Sequence, residues 1–371
     1  MTSVFHADVV GSLLRPPELV DGRARMRAGE LSPDEYRAIE DRAVDEALRL
    51  QEEVGVDVVT DGEMRRDIFF DFFIKGLTGL SMLPGTKVQF HSREKDVAME
   101  VEIPFTVTER VTALPCPAVD EFRYASARTA KPVKVTLPSP MMILGFWNEQ
   151  SLDAYPDPFE LAQDAATAVR KWVRELADAG CNYIQIDAPE LNEAYADERV
   201  RAEYEARGID PRHFIELGTE LVGTIADVEV PGTVRKAMHV CKGNGTQSWI
   251  AEGGYEEFSR HVFKRAGRFD VFHLEYDDER SGGFEPLANL PDDKAAVLGL
   301  VSTKWVELED PDVLKQRIED AARVHPKEQL ALATQCGFAS ASETAEQRLI
   351  TDATQREKLR LVADVAREVW R

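Results

Sequence analysis

The stretch "HVC" sets His239 and Cys241 two residues apart in a chain that uses cysteine only four times, at positions 116, 181, 241 and 336. Side chains at i and i+2 of a strand look the same way, so this imidazole and thiol face one spot. Cys336 in "TQCGF" and Glu275 in "HLEYDD" stand at the ends of two further apolar runs. Imidazole, two thiolates and a carboxylate form a soft-leaning set that suits Zn2+ in tetrahedral geometry. Each residue alone has a plainer reading: His239 as a hydrogen-bonded core histidine, Cys336 as a small residue at a tight strand exit. Three strand ends together favour the metal. His273 shares a face with Glu275 and is read as a supporting or packing residue. Cys116 and Cys181 are read as buried thiols.

These residues need elements to carry them. Apolar, β-branched runs recur at 7–12, 56–63, 133–140, 183–190, 234–241, 271–278, 296–303 and 330–337. Helical patterns lie between them. Ser32, Pro33 and Glu35 form a capping-box signature ahead of an apolar stripe at Tyr36, Ile39, Ala43, Leu50 and Val54, with Gly55 as the stop. A last helix repeats the period in Leu359, Val362, Ala366 and Val369. Eight strand–helix alternations predict an α/β fold, a (β/α)8 TIM barrel, with the doubly wound open sheet as competitor. The segment 80–130 alternates apolar and polar residues as hairpins do, without a helix signal, and reads as an insertion after the second strand. No linker divides the chain, so residues 1–371 are expected to form one catalytic barrel domain.

In such barrels chemistry sits at the C-terminal strand ends. Those ends here also carry Ser12, Asp61, Glu63 and Asp187. The plainer reading of Glu63 and Asp187 is helix capping, or pairing with Arg65 and Arg66.

Composition narrows the function classes. With 67 acidic and 45 basic residues the formal charge is −22, which repels nucleic acid and anionic membrane. No apolar run of about 18 residues is present to span a bilayer. The start "MTSVFHADVV" lacks a secretory pattern, and widely spaced cysteines read as reduced thiols, so a cytoplasmic location is expected.

"HVC", the Glu of "HLEYDD" and "QCGF" resemble the zinc site of cobalamin-independent methionine synthases, in their C-terminal catalytic barrel. "VVGSLLRP", "VVTDGEMRRD" and "IQIDAPELNE" are also similar to that family's motifs, and the likeness runs from about Phe5 to Trp370. The resemblance implies a zinc-dependent methyltransferase that passes a methyl group to the sulfur of homocysteine to give methionine. It implies His239, Cys241, Glu275 and Cys336 as metal ligands; Glu275, the hardest of the four, is the one expected to yield its place to the thiol. It further implies Ser12 and the Gly11 backbone at the amino-acid carboxylate, Glu63 and Asp187 at the ammonium, and Trp147 stacked on a pterin ring.

Two departures bear on the donor. The large folate-dependent enzymes carry a second, N-terminal barrel. After the seventh strand the family has a histidine, read as proton donor or relay, where this chain places Lys304 in "GLVSTKWVE". Methyltetrahydrofolate, a methylcobalamin protein or another activated methyl compound remain open as donors. Expected partners are the thiol, the donor, and a corrinoid protein or a second copy of the chain. One alternative keeps zinc but joins coenzyme M to an epoxide, with Arg15, Arg65, Arg66 or Arg280 clamping the sulfonate. Another is a non-enzymatic barrel with a closed structural zinc.

Overall fold

The computed structural model describes residues 4–94, 97–264, 268–341 and 348–370. Six strands form one parallel sheet in the order β10-β9-β8-β7-β6-β5. They are β5 (Val135–Pro138), β6 (Tyr183–Asp187), β7 (Arg235–Val240), β8 (Val271–Glu275), β9 (Ala295–Val301) and β10 (Leu330–Thr334). Two further staves close the ring. Ala7 bridges Leu332 and Val59 bridges Val133, both in parallel, and the Asp57 N–H donates to the Ala7 carbonyl at 2.8 Å. The result is the eight-membered parallel barrel, and the open sheet is excluded.

Around it run α1 (Pro17–Arg27), α2 (Pro33–Val54), α3 (Asp71–Gly76), α4 (Ala118–Ser126), α5 (Pro158–Asp178), α6 (Pro189–Ala196), α7 (Glu198–Ala206) and α8 (Pro211–Ala226). The short α9 (Glu256–Phe258), then α10 (Pro311–Ala321) and α11 (Asp352–Trp370), complete the set. The capping box at Ser32 and Glu35 forms as expected, and Gly55 ends α2 in the left-handed conformation that spares glycine a side-chain clash. In α11, Leu359, Val362 and Ala366 are buried against the barrel. No described helix is long and apolar enough to cross a membrane.

The insertion contains β1 (Leu80–Ser81), β2 (Lys87–Phe90), β3 (Met99–Glu102) and β4 (Thr106–Val107), with β1–β4 and β2–β3 paired antiparallel. The hairpin expectation holds for this part. Residues 118–126 correct it: they form α4, which buries Ala118, Glu121, Phe122 and Ala125. A nine-residue helix carries too few apolar repeats to stand out from alternation in sequence. The hairpin reaches across the barrel mouth, where His91 bridges Trp249.

Strand periodicity stacks the barrel interior in layers. Tyr183, Ala237, Val271, Ala295, Val297, Ala331 and Ala333 fill the lower part with Val58. Small side chains there leave room for a buried polar group: Lys134 Nζ lies 3.0 Å from Asp8 Oδ1, and the Tyr183 hydroxyl donates to Asp8 Oδ2 at 2.7 Å. Two residues further along β7 and β8, the inward positions are His239 and His273.

Candidate functional site

His239, Cys241 and Cys336 are all buried, and their ligand atoms lie within 4.8 Å of one another. Cys336 Sγ stands 3.7 Å from His239 Nε2. His239 closes the inward row of β7 and Cys241 follows at its C-terminal exit. Cys336 needs a local device. Ala331 and Ala333 point inward, so strict alternation would turn residue 335 in and 336 out. A register shift between Ala333 and Thr334 breaks that alternation, and the Thr334 hydroxyl donates to the Cys336 carbonyl at 2.7 Å.

The group is electronically primed. The Cys336 thiol hydrogen bond and the His239 imidazole pull Cys241 well below the ordinary thiol range, against the effect of burial. The same contact, with burial, pushes Cys336 up. Burial disfavours charge on His239, but Cys241 outweighs it and raises the imidazole. The other two thiols behave as inert core: burial pushes Cys116 and Cys181 up to about 12 each.

The donor set fits a tetrahedral metal. Bonds of about 2.3 Å to sulfur and about 2.0 Å to nitrogen require an S···N edge of roughly 3.5 Å, near the observed 3.7 Å. His239 Nδ1 has no hydrogen-bond partner among the described residues.

Glu275 does not join this group. Its Oε2 accepts from the Lys242 N–H at 2.8 Å, and its Oε1 accepts from Lys304 Nζ at 3.0 Å and Arg280 Nη2 at 3.3 Å. Burial opposes its charge, yet Lys304 and Lys242 hold its pKa below the ordinary carboxylate value. Of the four ligands expected, the structure brings three together and turns the fourth toward cations. His273 packs below, its Nε2 3.1 Å from the Tyr183 hydroxyl and 3.4 Å from Lys134 Nζ.

The three ligands open onto a cavity of about 530 Å³ lined also by Ser12, Glu63, Asp187 and Lys304. Ser12 Oγ accepts from the Ala339 N–H at 3.3 Å. Gly11 lies directly behind Glu63, where a Cβ would fall 2.6 Å from Oε1. Glu63 itself has φ +56°, a conformation that non-glycine residues rarely adopt and that clusters at functional sites. Its Oε1 meets Thr136 Oγ1 at 2.8 Å and Arg66 Nη1 at 3.2 Å, while Oε2 is buried without a hydrogen-bond partner among the described residues. Asp187 accepts from Gln185 Nε2 at 2.7 Å, and burial pushes it up to about 6 although His239 acts in the opposite sense.

Two expected placements differ. Trp147 does not line the cavity: its indole N–H donates to the Tyr155 carbonyl at 2.9 Å, and Gly145 and Phe146 present themselves instead. A 3-10 turn over Pro140–Phe146 rotates the following residue into the core. Lys304 does line the cavity, but its Nζ lies between Glu275 Oε1 and Asp277 Oδ2, 3.0 Å from each. Burial alone would lower it, and these two carboxylates raise it above the ordinary lysine value, so it stays an ammonium at neutral pH.

Sequence reasoning passed over Glu190 and Glu193, which line the cavity from the start of α6. Their i, i+3 spacing immediately after a strand end was the available signal.

Fold and cluster together define a (β/α)8 barrel with a His/Cys/Cys group that could hold a metal ion at its C-terminal mouth. Residues 5–359 match the family model of the cobalamin-independent synthase catalytic domain. The chain belongs to the cobalamin-independent methionine synthase family. It is 36% identical to the uncharacterised protein YxjH of Bacillus subtilis, over 99% of this chain and 95% of that one. A stretch covering 51% of this chain is 32% identical to the 5-methyltetrahydropteroyltriglutamate–homocysteine methyltransferase of Thermotoga maritima, spanning 25% of that enzyme. Among solved structures, a Listeria monocytogenes protein assigned as a vitamin-B12-independent methionine synthase superposes with TM-score 0.75 at 28% identity, covering 100% of this chain and 99% of that one.

Proposed function

We propose that this chain is a zinc-dependent thiol methyltransferase that methylates the sulfur of homocysteine to give methionine. The observation that carries this reading is the convergence of His239, Cys241 and Cys336 within 4.8 Å at a cavity that also presents Ser12, Glu63 and Asp187. Bound zinc would supply a lowered thiol pKa and hold the sulfur as an electron-rich nucleophile, since two cysteinate ligands make a poor centre for activating water.

The chain's own residues do the rest. Glu63 Oε2, buried and without a hydrogen-bond partner among the described residues, and Asp187 present paired negative charge for a substrate ammonium. Ser12 and the Gly11 backbone offer donors for the carboxylate. Gln185 and Thr136 hold the two acids in place. Glu275, released from Lys304, would complete the metal shell before the thiol displaces it. Trp147 has no part in this reading, and Lys304 acts as the counter-charge of Glu275 rather than as an acid. The whole chain serves as one catalytic barrel, the 80–130 insertion roofing its mouth, in a reducing cytoplasmic setting.

The coenzyme M reading finds no support, because a sulfonate needs an available guanidinium. Arg15 is bonded to the Arg66 and Ala339 carbonyls, Arg65 to Glu40 and Asp41, Arg66 to Glu121, and Arg280 to Asp278. A closed structural zinc is disfavoured by the cavity that opens onto the cluster.

X-ray absorption on zinc-loaded protein tests the proposal: homocysteine should add one sulfur to the metal shell. An unchanged sulfur count, with no methionine formed from any methyl donor, would remove it.

A further inference from the structure

We propose that the cavity takes an onium methyl donor, a methylated sulfonium or quaternary ammonium, with Glu190 as the residue that meets its positive charge. This deepens the thiol-methylation reading and rests on it.

Glu190 is 5% exposed and lines the cavity. The Ser139 hydroxyl donates to its Oε1, while Oε2 is buried with no hydrogen-bond partner among the described residues. Glu193 follows one turn along α6 and lines the same cavity, its backbone carbonyl accepting from the Asp197 N–H at 3.0 Å. Burial is the main influence on Glu190, and Cys241 and Asp187 add further negative charge beside it. Burial favours the protonated form of the Glu190 side chain, and a cation entering the cavity would favour its carboxylate and release the proton.

The remaining wall is largely apolar and carries the rings of Phe70, Phe90 and Phe146. Aromatic faces beside a carboxylate form the recognised surface for methylated onium cations, which have no strong hydrogen-bond donors of their own. A polyanionic donor would meet the opposite situation. Each cation among the described lining residues is already engaged: Lys304 by Glu275 and Asp277, Lys87 by Glu100, Arg207 by the Leu144 and Trp147 carbonyls, and Arg348 by the Arg15 carbonyl.

The chemistry balances without a further reactant. The thiolate sulfur attacks the methyl carbon, the new S–C bond forms as the methyl–onium bond breaks, and the bonding pair stays on the departing sulfur or nitrogen. That group leaves neutral, so no proton is needed.

The experiment supplies zinc-loaded full-length protein and homocysteine with S-methylmethionine, trimethylsulfonium, glycine betaine or methyltetrahydrofolate, each labelled in the methyl group. Labelled methionine is expected from a sulfonium arm or from the ammonium arm, whichever class is the donor. Glu190→Gln should lower kcat/KM for that donor about tenfold or more, with metal content unchanged. Calorimetry with tetramethylammonium, which does not depend on turnover, should show binding that Glu190→Gln weakens about tenfold, and Glu193→Gln provides a second variant should the first fold poorly. Methionine formed from methyltetrahydrofolate alone, with no onium bound or consumed, overturns the inference and leaves thiol methylation standing. A homocysteine sulfur that never reaches the metal, with Glu190-dependent tetramethylammonium binding intact, removes the reaction but keeps the cation subsite.

Discussion

Lys304 Nζ lies 3.0 Å from Glu275 Oε1 and 3.0 Å from Asp277 Oδ2, so one buried ammonium holds two buried carboxylates beside the soft ligands. Removing it leaves Arg280, 3.3 Å from Glu275 Oε1 and 3.8 Å from Asp277 Oδ1, as their remaining ion-pair partner among the described residues. Lys304→Met is expected to cost about 3–5 kcal/mol of stability, read as a lower Tm and denaturant midpoint. Because the carboxylates raise the folded-state pKa, this contribution is fully present below about pH 10 and is lost only as pH climbs through the raised value. Activity should therefore show no ionisation of Lys304 near neutrality.

Cys241→Ala deletes one of three converging ligands. Metal content after dialysis should fall from near one equivalent to a small fraction of it, as weakened sites lose affinity by about tenfold to a hundredfold or more. Methionine formation should fall with it. Cys181→Ala, altering a thiol buried away from the cluster, should leave metal content unchanged; elemental analysis of the two variants side by side separates the sites.

Gly11→Ala places a methyl group 2.6 Å from Glu63 Oε1 and 3.2 Å from Thr136 Cγ2. Backbone and carboxylate must separate, at about 1–3 kcal/mol. The expected outcome is a raised KM for homocysteine with metal content unaltered, checked by steady-state kinetics on the metal-loaded variant.

Burial lifts Glu190 to about 8 in the folded protein, against about 4.3 when unfolded. Between these values the folded chain keeps a proton that the unfolded chain releases, so this group makes stability fall as pH rises from about 4 to 8. Glu190→Gln removes the titration. Its Tm should match wild type near pH 4.5 and exceed it near pH 8, by on the order of 2–4 kcal/mol in stability. Thermal melts across that range decide the matter.

Much of the barrel was legible because its determinants are local. Runs at 183–190, 234–241 and 271–278 each contain the observed strand, and the capping box at Ser32 formed as written. The convergence of His239, Cys241 and Cys336 followed from strand ends and a register shift that sequence alternation alone would have argued against. Glu275 was harder to place, since its partners Lys304, Lys242 and Arg280 come from separate loops and pair only in three dimensions. Trp147 fails for a geometric reason: the 3-10 helix Pro140–Phe146 decides whether the indole meets the cavity or the core, and no periodic pattern encodes that helix. Glu190 went unnoticed because a glutamate in a first helical turn is ordinarily read as favouring the helix dipole.

The barrel is unevenly knitted. Its staves at residues 7 and 59 hold their neighbours through single bridges, whereas β6 and β7 share five registered pairs. Ser12 and Glu63 stand above the loosely stitched side, and His239 and Cys241 above the firmly stitched one. Breathing of the cylinder would thus widen the side carrying Ser12 and Glu63 while the β6–β7 corner with Asp187, His239 and Cys241 keeps its shape, and amide exchange should trace that seam first.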